Sequence, residues 1–565
     1  MTSGILEVME QAIKRIIFEQ YNLDIEPQIT RPEPEFGDFS TNVAMQLAGR
    51  LGKNPREIAA EVAGVLRQTG DYSKVDIAGP GFINLTVNDS ALLGAALRQP
   101  ARLLNGRTYV VEYSDPNPFK PLHAGHLYTT LVGDTIARLV ENAGATTVRV
   151  NYGGDVGRHV AIAMREIIYR FGGEEQALEA MRLKEAEDLH ARAAFLGDCY
   201  AKGTAAFESD ETAKKEILAN NKRVYELHEK DDHQSTFAQI YWMGRDWSYS
   251  YFKVLYQELD IKPFDRYIPE SEVTPLGVAT VRDQQQRGVY AVSDGAVVFD
   301  GEAKGLHTRV FINSEGLPTY ETKDVGLSLT KWRDYHFDQS VIITASEQSE
   351  YMKVVIASIG EFEPEPAQRT RHITHGIVKL AGGVKMSSRK GNVVTALDII
   401  RAAREAAAAA NPTTKESTVL AAIKYAFAKT RIGGDIIYSP TESVALEGNS
   451  GPYLQYAHAR VCSILQKAGD VKRTTSGVEY DAAERALLRK LGENADIIER
   501  ATRELMPHHV CSYLYELAQE FNRFYEHSRV IGDDRQALRL GLITIYRDTL
   551  KNGLDLLGIV APEKM

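Results

Sequence analysis

Two histidines three residues apart mark a segment whose residue types suit anion binding. The segment Lys120–His126 reads Lys-Pro-Leu-His-Ala-Gly-His, and His123 and His126 would share one face of a helix. A helix N-terminus offers unpaired N–H groups and the positive end of the helix dipole. Imidazoles can donate to phosphate oxygens, and Gly125 lets a flat base approach, so a nucleoside triphosphate is the expected ligand. For such a pair in isolation, a helix cap or a satisfied polar cluster is the simpler interpretation.

A second segment carries cations between glycines. Residues 382–391 read Gly-Gly-Val-Lys-Met-Ser-Ser-Arg-Lys-Gly, so that Lys385, Arg389 and Lys390 stand in a loop that its glycines allow to move. Such a loop could close over a polyphosphate and neutralise the charge that develops as pyrophosphate leaves. A basic loop by itself is usually only solvated.

The elements around the histidines predict a βαβ unit. Tyr109–Tyr113 and Thr147–Asn151 have the composition of strands, and Ala124–Asn142 has helical periodicity. A βαβ unit implies a parallel sheet, whose ligands bind at the carboxyl ends of its strands. We therefore expect residues 114–125 to lie at the ligand-binding edge.

The rest of the chain divides into three predicted domains. Residues 1–105 are expected to form a small α+β domain, with helices near both Ile5 and Asn54 and a strand at Phe82–Val87. Residues 106–400 form the α/β domain, with a charged helical insertion at about 170–235. Residues 401–565 are predicted to be all α-helical. Further elements of the α/β domain are predicted at Gly295–Phe299, His307–Ile312, Ser340–Thr344, His372–Leu380 (strands) and Tyr351–Gly360 (helix).

Composition narrows the class of protein. The chain has 565 residues, of which 44% are hydrophobic and 25% charged, and its formal net charge is −10. Such a chain is folded and multidomain, and it contains no apolar run long enough to cross a membrane, so we expect a cytoplasmic location. Cys199, Cys462 and Cys511 share no ligand spacing; they predict neither disulfides nor a zinc site and are expected in the core.

The two motifs together resemble those of the class I aminoacyl-tRNA synthetases. His123-Ala124-Gly125-His126 matches the HIGH motif, and Lys385-Met386-Ser387-Ser388-Arg389 matches the KMSKS motif, in the expected order. Ser388 departs from the pattern, which has a second lysine at this position. The resemblance implies a Rossmann-type catalytic domain for residues 106–400.

Flanking sequences resemble the arginyl-tRNA synthetase family in particular. The resemblance rests on Val111–Asn117 before the first motif, Gly376–Leu380 before the second, Glu447–Ala457, and the closing Ala561–Met565. It implies that residues 1–105 contact the outer corner of tRNA and that residues 401–565 bind the anticodon.

The resemblance also implies roles for individual residues. Catalysis is assigned to His123, His126 and Lys385, and ATP binding to His123, Gly125, His126, Lys385, Met386, Ser387 and Ser388. Arginine binding is assigned to Glu112, Asn117, Tyr320, Asp324 and Gln348, with Glu347 left open. Carboxylates suit this substrate, because a guanidinium presents five donors in one plane.

Aromatic and basic residues of the C-terminal region predict tRNA contacts. Tyr453, Gln455, Tyr456 and Arg460 lie within two helical turns and could engage unstacked bases. A second group comprises Phe521, Arg523, Phe524, Tyr525 and Arg529. Phe521 and Phe524 are expected to pack in the core instead.

The implied activity is arginine–tRNA ligation in two steps. Arginine attacks the α-phosphate of ATP, whose phosphates Mg²⁺ bridges, and the terminal adenosine of tRNA(Arg) then attacks the adenylate. The expected partners are arginine, ATP and tRNA(Arg), with no protein-bound metal, no membrane, and a monomeric chain. Two alternatives remain: a class I synthetase for another amino acid, such as cysteine or glutamate, and a tRNA-binding protein without catalysis.

Overall fold

The N-terminal domain packs helices against a small antiparallel sheet. The computed structural model of the protein describes residues 5–381, 394–475 and 479–565. The sheet has the strand order β1-β2-β4-β3, and Asn54 caps α3 by accepting from the Arg56 N–H, with Pro55 at the first helical position. The elements of this domain are α1 (Ile5–Tyr21), β1 (Ile29–Thr30), β2 (Phe39–Thr41), α2 (Val43–Leu51), α3 (Pro55–Gln68), β3 (Tyr72–Ala78), β4 (Phe82–Val87) and α4 (Asp89–Leu97).

The central domain begins with the predicted βαβ unit and continues into a helical insertion. The unit comprises β5 (Thr108–Glu112), α5 (Ala124–Asn142) and β6 (Thr146–Gly153). The insertion that follows is longer than predicted, because it extends on both sides of residues 170–235. Its helices are α6 (Arg158–Phe171), α7 (Glu174–Lys184), α8 (Leu189–Ser209), α9 (Glu211–Glu229) and α10 (Thr236–Glu258).

The parallel sheet is completed after the insertion. Its strand order is β12-β11-β5-β6-β7, so the chain moves outward in both directions from β5 and β11. Loops that leave two such strands diverge and open a crevice at their carboxyl ends, where ligands bind. The remaining elements are β7 (Arg266–Pro269), α11 (Glu270–Gln286), β8 (Ala291–Ser293), β9 (Ala296–Phe299), β10 (Arg309–Ile312), α12 (Tyr320–Tyr335), β11 (Gln339–Ala345), α13 (Ser349–Ile359), α14 (Pro364–Gln368), β12 (Thr370–His375) and β13 (Val378–Leu380).

The rest of the chain is almost entirely helical. The elements are α15 (Ala396–Ala410), α16 (Glu416–Ala428), β14 (Ile436–Tyr438), α17 (Pro440–Ser443), α18 (Gly451–Ala468), α19 (Ala482–Leu491), α20 (Asn494–Glu504), α21 (His508–His527) and α22 (Gln536–Leu556). We call residues from α18 onward the C-terminal domain. Among the described residues, no helix combines the length and the apolar character that a membrane crossing requires.

Three local predictions differ from the structure. The strand predicted at His372–Leu380 is two strands, because the chain leaves the main sheet after His375 and β13 pairs with β14 instead. The predicted domain boundary at residue 400 falls inside α15. Cys199 and Cys511 are buried as expected, but Cys462 is only half-buried.

Helix α5 spans two hydrophobic cores. Leu127, Leu131 and Ile136 pack in the core of the central domain. Leu139, near the end of the helix, packs in a different core, which the N-terminal and C-terminal domains share. One helix therefore connects the crevice of the sheet to the C-terminal domain.

Candidate active site

A cavity of about 400 Å³ opens at the crevice between β5 and β11. The predicted site residues that line it are Glu112, Asn117, His123, Gly125, His126, Tyr320, Asp324, Glu347 and Gln348. They come from the ends of β5 and β11 and from the beginnings of α5 and α12. The structure therefore brings together residues from three separate stretches of the sequence, 112–126, 320–324 and 347–348. We call this space the central cavity.

The two histidines form the cap of α5. His123 is the N-cap residue, and its Nδ1 accepts hydrogen bonds from the N–H groups of Gly125 at 3.1 Å and His126 at 3.4 Å. His126 returns the contact, because its Nδ1 accepts from the His123 N–H at 3.3 Å. The rings stack with 3.7 Å between their centroids. Capping and ligand binding are thus compatible, since each cap contact uses only Nδ1.

These contacts fix the protonation of both rings. A ring nitrogen that accepts an N–H carries no proton, so each neutral imidazole has its proton on Nε2. Desolvation and the positive charge of Lys120 lower the pKa of His123 to about 4. Desolvation, followed by the neighbouring His123, holds the pKa of His126 well below its usual value. Both side chains are therefore neutral Nε2–H donors at physiological pH.

The loop between β5 and α5 has an unusual backbone. Ser114, Asp115 and Phe119 all have positive φ angles, of 76°, 48° and 66°. Such angles cost free energy in non-glycine residues and are kept only where the surroundings impose them. Here the Ser114 hydroxyl accepts from Thr130 of α5 at 2.7 Å and lies 2.8 Å from the Tyr256 hydroxyl. The loop is thereby tied to the helix that carries the histidines.

Three carboxylates form a cluster in the central cavity. Glu112, Asp115 and Asp324 all line it. Burial, together with the negative charge of Glu112, holds the pKa values of Asp115 and Asp324 well above the usual range. The Asp324 carboxylate also accepts from the Tyr351 hydroxyl. Clustered acids with raised pKa values favour a cationic ligand, which would restore their ionised forms.

Glu112 is already paired with a buried lysine. The Lys331 ammonium donates to the Glu112 carboxylate, and at 3.3 Å to the Ser340 hydroxyl. Lys331 is 1% exposed and Glu112 3%, so the pair is buried. This contact ties α12 to β5, and Asp115 and Asp324 remain as the acids that a ligand can neutralise.

Sequence reasoning missed several residues that line or support the central cavity. Lys120 and Asp115 lie in the same sequence segments that predicted the site. Their charged side chains could have identified them as further site residues. His375 is the last residue of β12, at the same edge of the sheet. A polar residue at the carboxyl end of a parallel strand is a candidate for ligand binding. Lys331 gave no signal, because its partner is distant in sequence.

Asn117 requires a glycine opposite it. A Cβ atom on Gly154 would lie 2.1 Å from Asn117 Oδ1, which is too close for any side chain. The glycine after β6 therefore makes room for the amide in the central cavity.

The segment Lys385–Arg389, including Met386, Ser387 and Ser388, lies outside the described residues.

The predicted tRNA-binding residues of α18 have different surroundings. Tyr456 is 45% exposed, and the Arg460 guanidinium lies 4.6 Å from the centre of the Tyr525 ring. Tyr453 accepts from Asn522 at 2.9 Å. Gln455 is buried and donates to the Val560 carbonyl at 2.8 Å, so its side chain does not reach the surface and its expected role is corrected.

In the second group, burial separates the phenylalanines from their neighbours. Phe521 and Phe524 are 0% and 1% exposed, which confirms that they pack in the core. Arg523 lies at the surface and donates to Glu520. Arg529 donates to the Ile531 carbonyl at 3.0 Å.

Within the described residues, no group of three or more His, Cys, Asp or Glu side chains could hold a metal ion.

Family models match nearly the whole chain. The model of the class I tRNA synthetase (R) catalytic domain matches residues 89–439. The DALR anticodon binding domain matches residues 454–565, and the arginyl tRNA synthetase N terminal domain matches residues 4–87. The chain belongs to the arginyl-tRNA synthetase family. Membership in this family makes it an ATP-dependent ligase of class I, and its reaction is arginine activation followed by tRNA charging.

Relatives of this family match over nearly their full length. The arginine–tRNA ligase of Thermobifida fusca is 32% identical, with 96% of each chain covered. That of Shewanella loihica is 31% identical, with 100% of each covered. The solved arginyl-tRNA synthetase of Thermus thermophilus has the same fold, with a TM-score of 0.79, 24% identity, and coverage of 99% of this chain and 100% of that one.

Proposed function

We propose that the central cavity holds arginine at its acidic side and ATP at the N-terminus of α5. The observation that carries this proposal is the convergence of Asp115 and Asp324 with two neutral Nε2–H donors in one cavity. An acidic side suits a guanidinium, and a donor-rich helix N-terminus suits phosphates. The two reactants would then meet between the strand ends.

On the arginine side, Asp324 and Asp115 supply the charge and Tyr320 the aromatic wall. Tyr351 donates to Asp324 and so orients its carboxylate toward the cavity. Asn117 and Gln348 offer amide groups that can bind the polar ends of the substrate. Glu112 binds the amino group of the substrate through its second carboxylate oxygen, while Lys331 holds the first oxygen in place.

On the ATP side, the imidazoles donate from Nε2 to phosphate oxygens. Lys120 lines the same cavity and adds a positive charge beside His123. We propose that Lys120, together with Lys385, neutralises the charge that develops as pyrophosphate leaves. Mg²⁺ would enter with ATP as part of the substrate and would offset the negative charge of its phosphates.

The reaction needs positioning more than covalent participation of the protein. A carboxylate oxygen of arginine attacks the α-phosphorus, the bond to the β-phosphate oxygen breaks, and arginyl-adenylate forms. A ribose hydroxyl of the terminal adenosine of tRNA(Arg) then attacks the acyl carbon, and AMP leaves. Holding the reactants in line accounts for most of the acceleration.

The residues of α18 that contribute to tRNA binding are Tyr453, Tyr456 and Arg460. The chain acts as a monomer in the cytoplasm.

The test is ATP–pyrophosphate exchange with each of the twenty amino acids, with and without tRNA. We expect exchange with arginine alone, and we expect it to depend on tRNA. His126→Ala should reduce this exchange by about 100-fold, because one transition-state donor is lost, and leave tRNA affinity unchanged. His307→Ala, which changes an exposed histidine outside the cavity, is the matched control.

The outcomes separate the alternatives. Exchange with a different amino acid would replace arginine as the substrate. Binding of tRNA without exchange for any amino acid would favour a tRNA-binding protein without catalysis. Full exchange without tRNA would contradict the expected coupling and leave the substrate assignment intact.

A further inference from the structure

We infer that Lys424 is a positioning residue that connects the C-terminal domain to α5, and through α5 to the ATP side of the central cavity. The inference rests on the proposed function, because it concerns how the two imidazoles are held. Lys424 belongs to α16, which packs against both α5 and α18. It is not among the residues that line the central cavity.

The ammonium of Lys424 joins two different parts of the chain. Lys424 is 4% exposed, and its Nζ donates to the carbonyl of Gly558 at 2.6 Å and to that of Asp260 at 3.0 Å. Gly558 lies just beyond the C-cap of α22, and Asp260 lies just beyond that of α10 in the central domain. The nearest carboxylate oxygen, on Asp260, is 3.8 Å away. Burial consequently lowers the pKa of Lys424 to about 8.

Gly558, which Lys424 holds, also lies against α5. Asp134 of α5 is buried and accepts from Arg138 Nε at 2.7 Å and from the Lys262 N–H at 3.2 Å. A Cβ on Gly558 would lie 3.2 Å from Arg138 Nε and 3.4 Å from Asp134 Oδ2. The end of α22 thus rests on α5 at the point where the Lys424 ammonium holds it.

Helix α5 can transmit a displacement at this point. It has 19 residues and a length of about 28 Å, its cap is His123, and Leu139 lies in the core shared with the C-terminal domain. A packed helix moves as a rigid element, because its neighbours permit few alternative arrangements. A shift of α22 against α5 would therefore reposition His123 and His126.

The expected consequence is coupling between tRNA binding and ATP binding. A tRNA on α18 acts on the domain that contains Gly558, and Lys424 holds Gly558 where it lies against Arg138 and Asp134 of α5. Thermodynamic linkage then requires that ATP and tRNA each alter the affinity of the other by the same factor. Removing the ammonium should weaken this coupling without changing either binding surface.

The experiment compares Lys424→Met with Lys429→Met in the full-length protein. Lys429 is a matched control on the same part of the chain, because its ammonium donates to the Asn449 carbonyl at 2.9 Å and reaches neither α5 nor Gly558. For each variant we would measure the KM for ATP and the kcat of arginine-dependent exchange, with and without tRNA, together with the Kd for tRNA and the melting temperature.

We expect Lys424→Met to lower the stimulation of exchange by tRNA about tenfold, through a higher KM for ATP in the presence of tRNA. Its Kd for tRNA without ATP should stay within about twofold of the wild type. Lys429→Met should retain the wild-type stimulation. A purely structural role would instead lower the melting temperature and leave the stimulation unchanged, which would overturn the inference.

A second variant covers the case in which Lys424→Met does not fold. Gly558→Ala places a methyl group against Arg138 at a backbone φ of +66° and should reduce the stimulation in the same direction. Wild-type stimulation in folded Gly558→Ala would contradict the inference. Absence of arginine-dependent exchange in the wild type would instead refute the proposed function itself.

Discussion

At the scale of single residues, the site depends on which atoms remain free once the fold is made. The two imidazoles use Nδ1 to cap α5, so only Nε2–H is available to a ligand. The acids of the central cavity are divided in the same way. Glu112 gives one carboxylate oxygen to Lys331, whereas Asp324 accepts from the Tyr351 hydroxyl and becomes fully ionised only when a cationic ligand neutralises it.

Asp324→Asn should weaken arginine recognition selectively. Loss of one partner in a desolvated ion pair costs about 2 kcal/mol or more, which corresponds to a roughly 30-fold lower kcat/KM for arginine. The KM for ATP should change little, since Asp324 lies on the acidic side of the cavity. Steady-state exchange kinetics with each substrate varied in turn would measure both. An equal loss for ATP and arginine would argue against a specific role.

The pH dependence of the two substrates should differ. The pKa of His123 is lowered to about 4, so the ring stays neutral as the pH falls through 6.5, and the KM for ATP should be constant from pH 7.5 to about 5.5. The pKa of Asp324 is raised, so its carboxylate begins to protonate on acidification well above pH 4. The kcat/KM for arginine should therefore fall first, and Asp324→Asn should flatten that profile.

At the scale of elements, the site is an arrangement of strand ends and helix starts. β5 supplies Glu112, α5 the histidines, and α12 supplies Tyr320, Asp324 and the supporting Lys331. The strained loop between β5 and α5 is held by Ser114, whose hydroxyl contacts Thr130 and Tyr256. These contacts make the relative positions of β5, α5 and α10 part of the active site.

Lys331→Met should destabilise the protein by leaving Glu112 charged and unpaired in the interior. Breaking a buried pair from one side costs about 3 to 5 kcal/mol in the free energy of unfolding. The double variant Glu112→Gln with Lys331→Met should recover much of that loss, because no buried charge remains. Chemical denaturation of the single and double variants would measure it. Equal stability of the wild type and Lys331→Met would show that the pair does not hold α12 to β5.

At the scale of the whole molecule, the two outer domains form one body. Their hydrophobic residues belong to a single core. Arg98 pairs with Glu499 at 2.7 Å, and Arg485 pairs with Asp38 at 2.6 Å, so arginines cross the boundary in two places. The N-terminal domain is therefore held against α19 and α20, at a fixed distance from α18.

Replacing Arg98 and Arg485 together by Ala should loosen this body and weaken tRNA binding. If both outer domains contact one tRNA, their fixed geometry favours simultaneous binding, and its loss should raise the Kd for tRNA by about tenfold or more. The KM for the substrate arginine should stay at the wild-type value, since neither Arg98 nor Arg485 lines the central cavity. Filter binding and exchange kinetics would measure the two quantities. An unchanged Kd would indicate that the domains bind tRNA independently.

Local patterns in the sequence determined the βαβ unit, the helical C-terminal region and the family. The helix predicted at Ala124–Asn142 has the bounds found in the structure, because its periodicity and His123 cap are local properties. The motif positions also predicted eight of the twenty residues that line the central cavity, with Glu347 left open. His123 and Asp324 are far apart in the sequence. They could be proposed as parts of one site because the resemblance assigns both of them to the same active site.

Only the tertiary structure decided which groups are free and which are occupied. The Lys331–Glu112 pair, the burial of Gln455 and the Lys424 junction each depend on contacts between distant segments, and no local pattern encodes them. The same holds for His372–Leu380, which the sequence predicts as one strand but which divides between two sheets. The physical reason is that desolvation and pairing depend on packing in three dimensions, whereas periodicity and capping depend on neighbours along the chain.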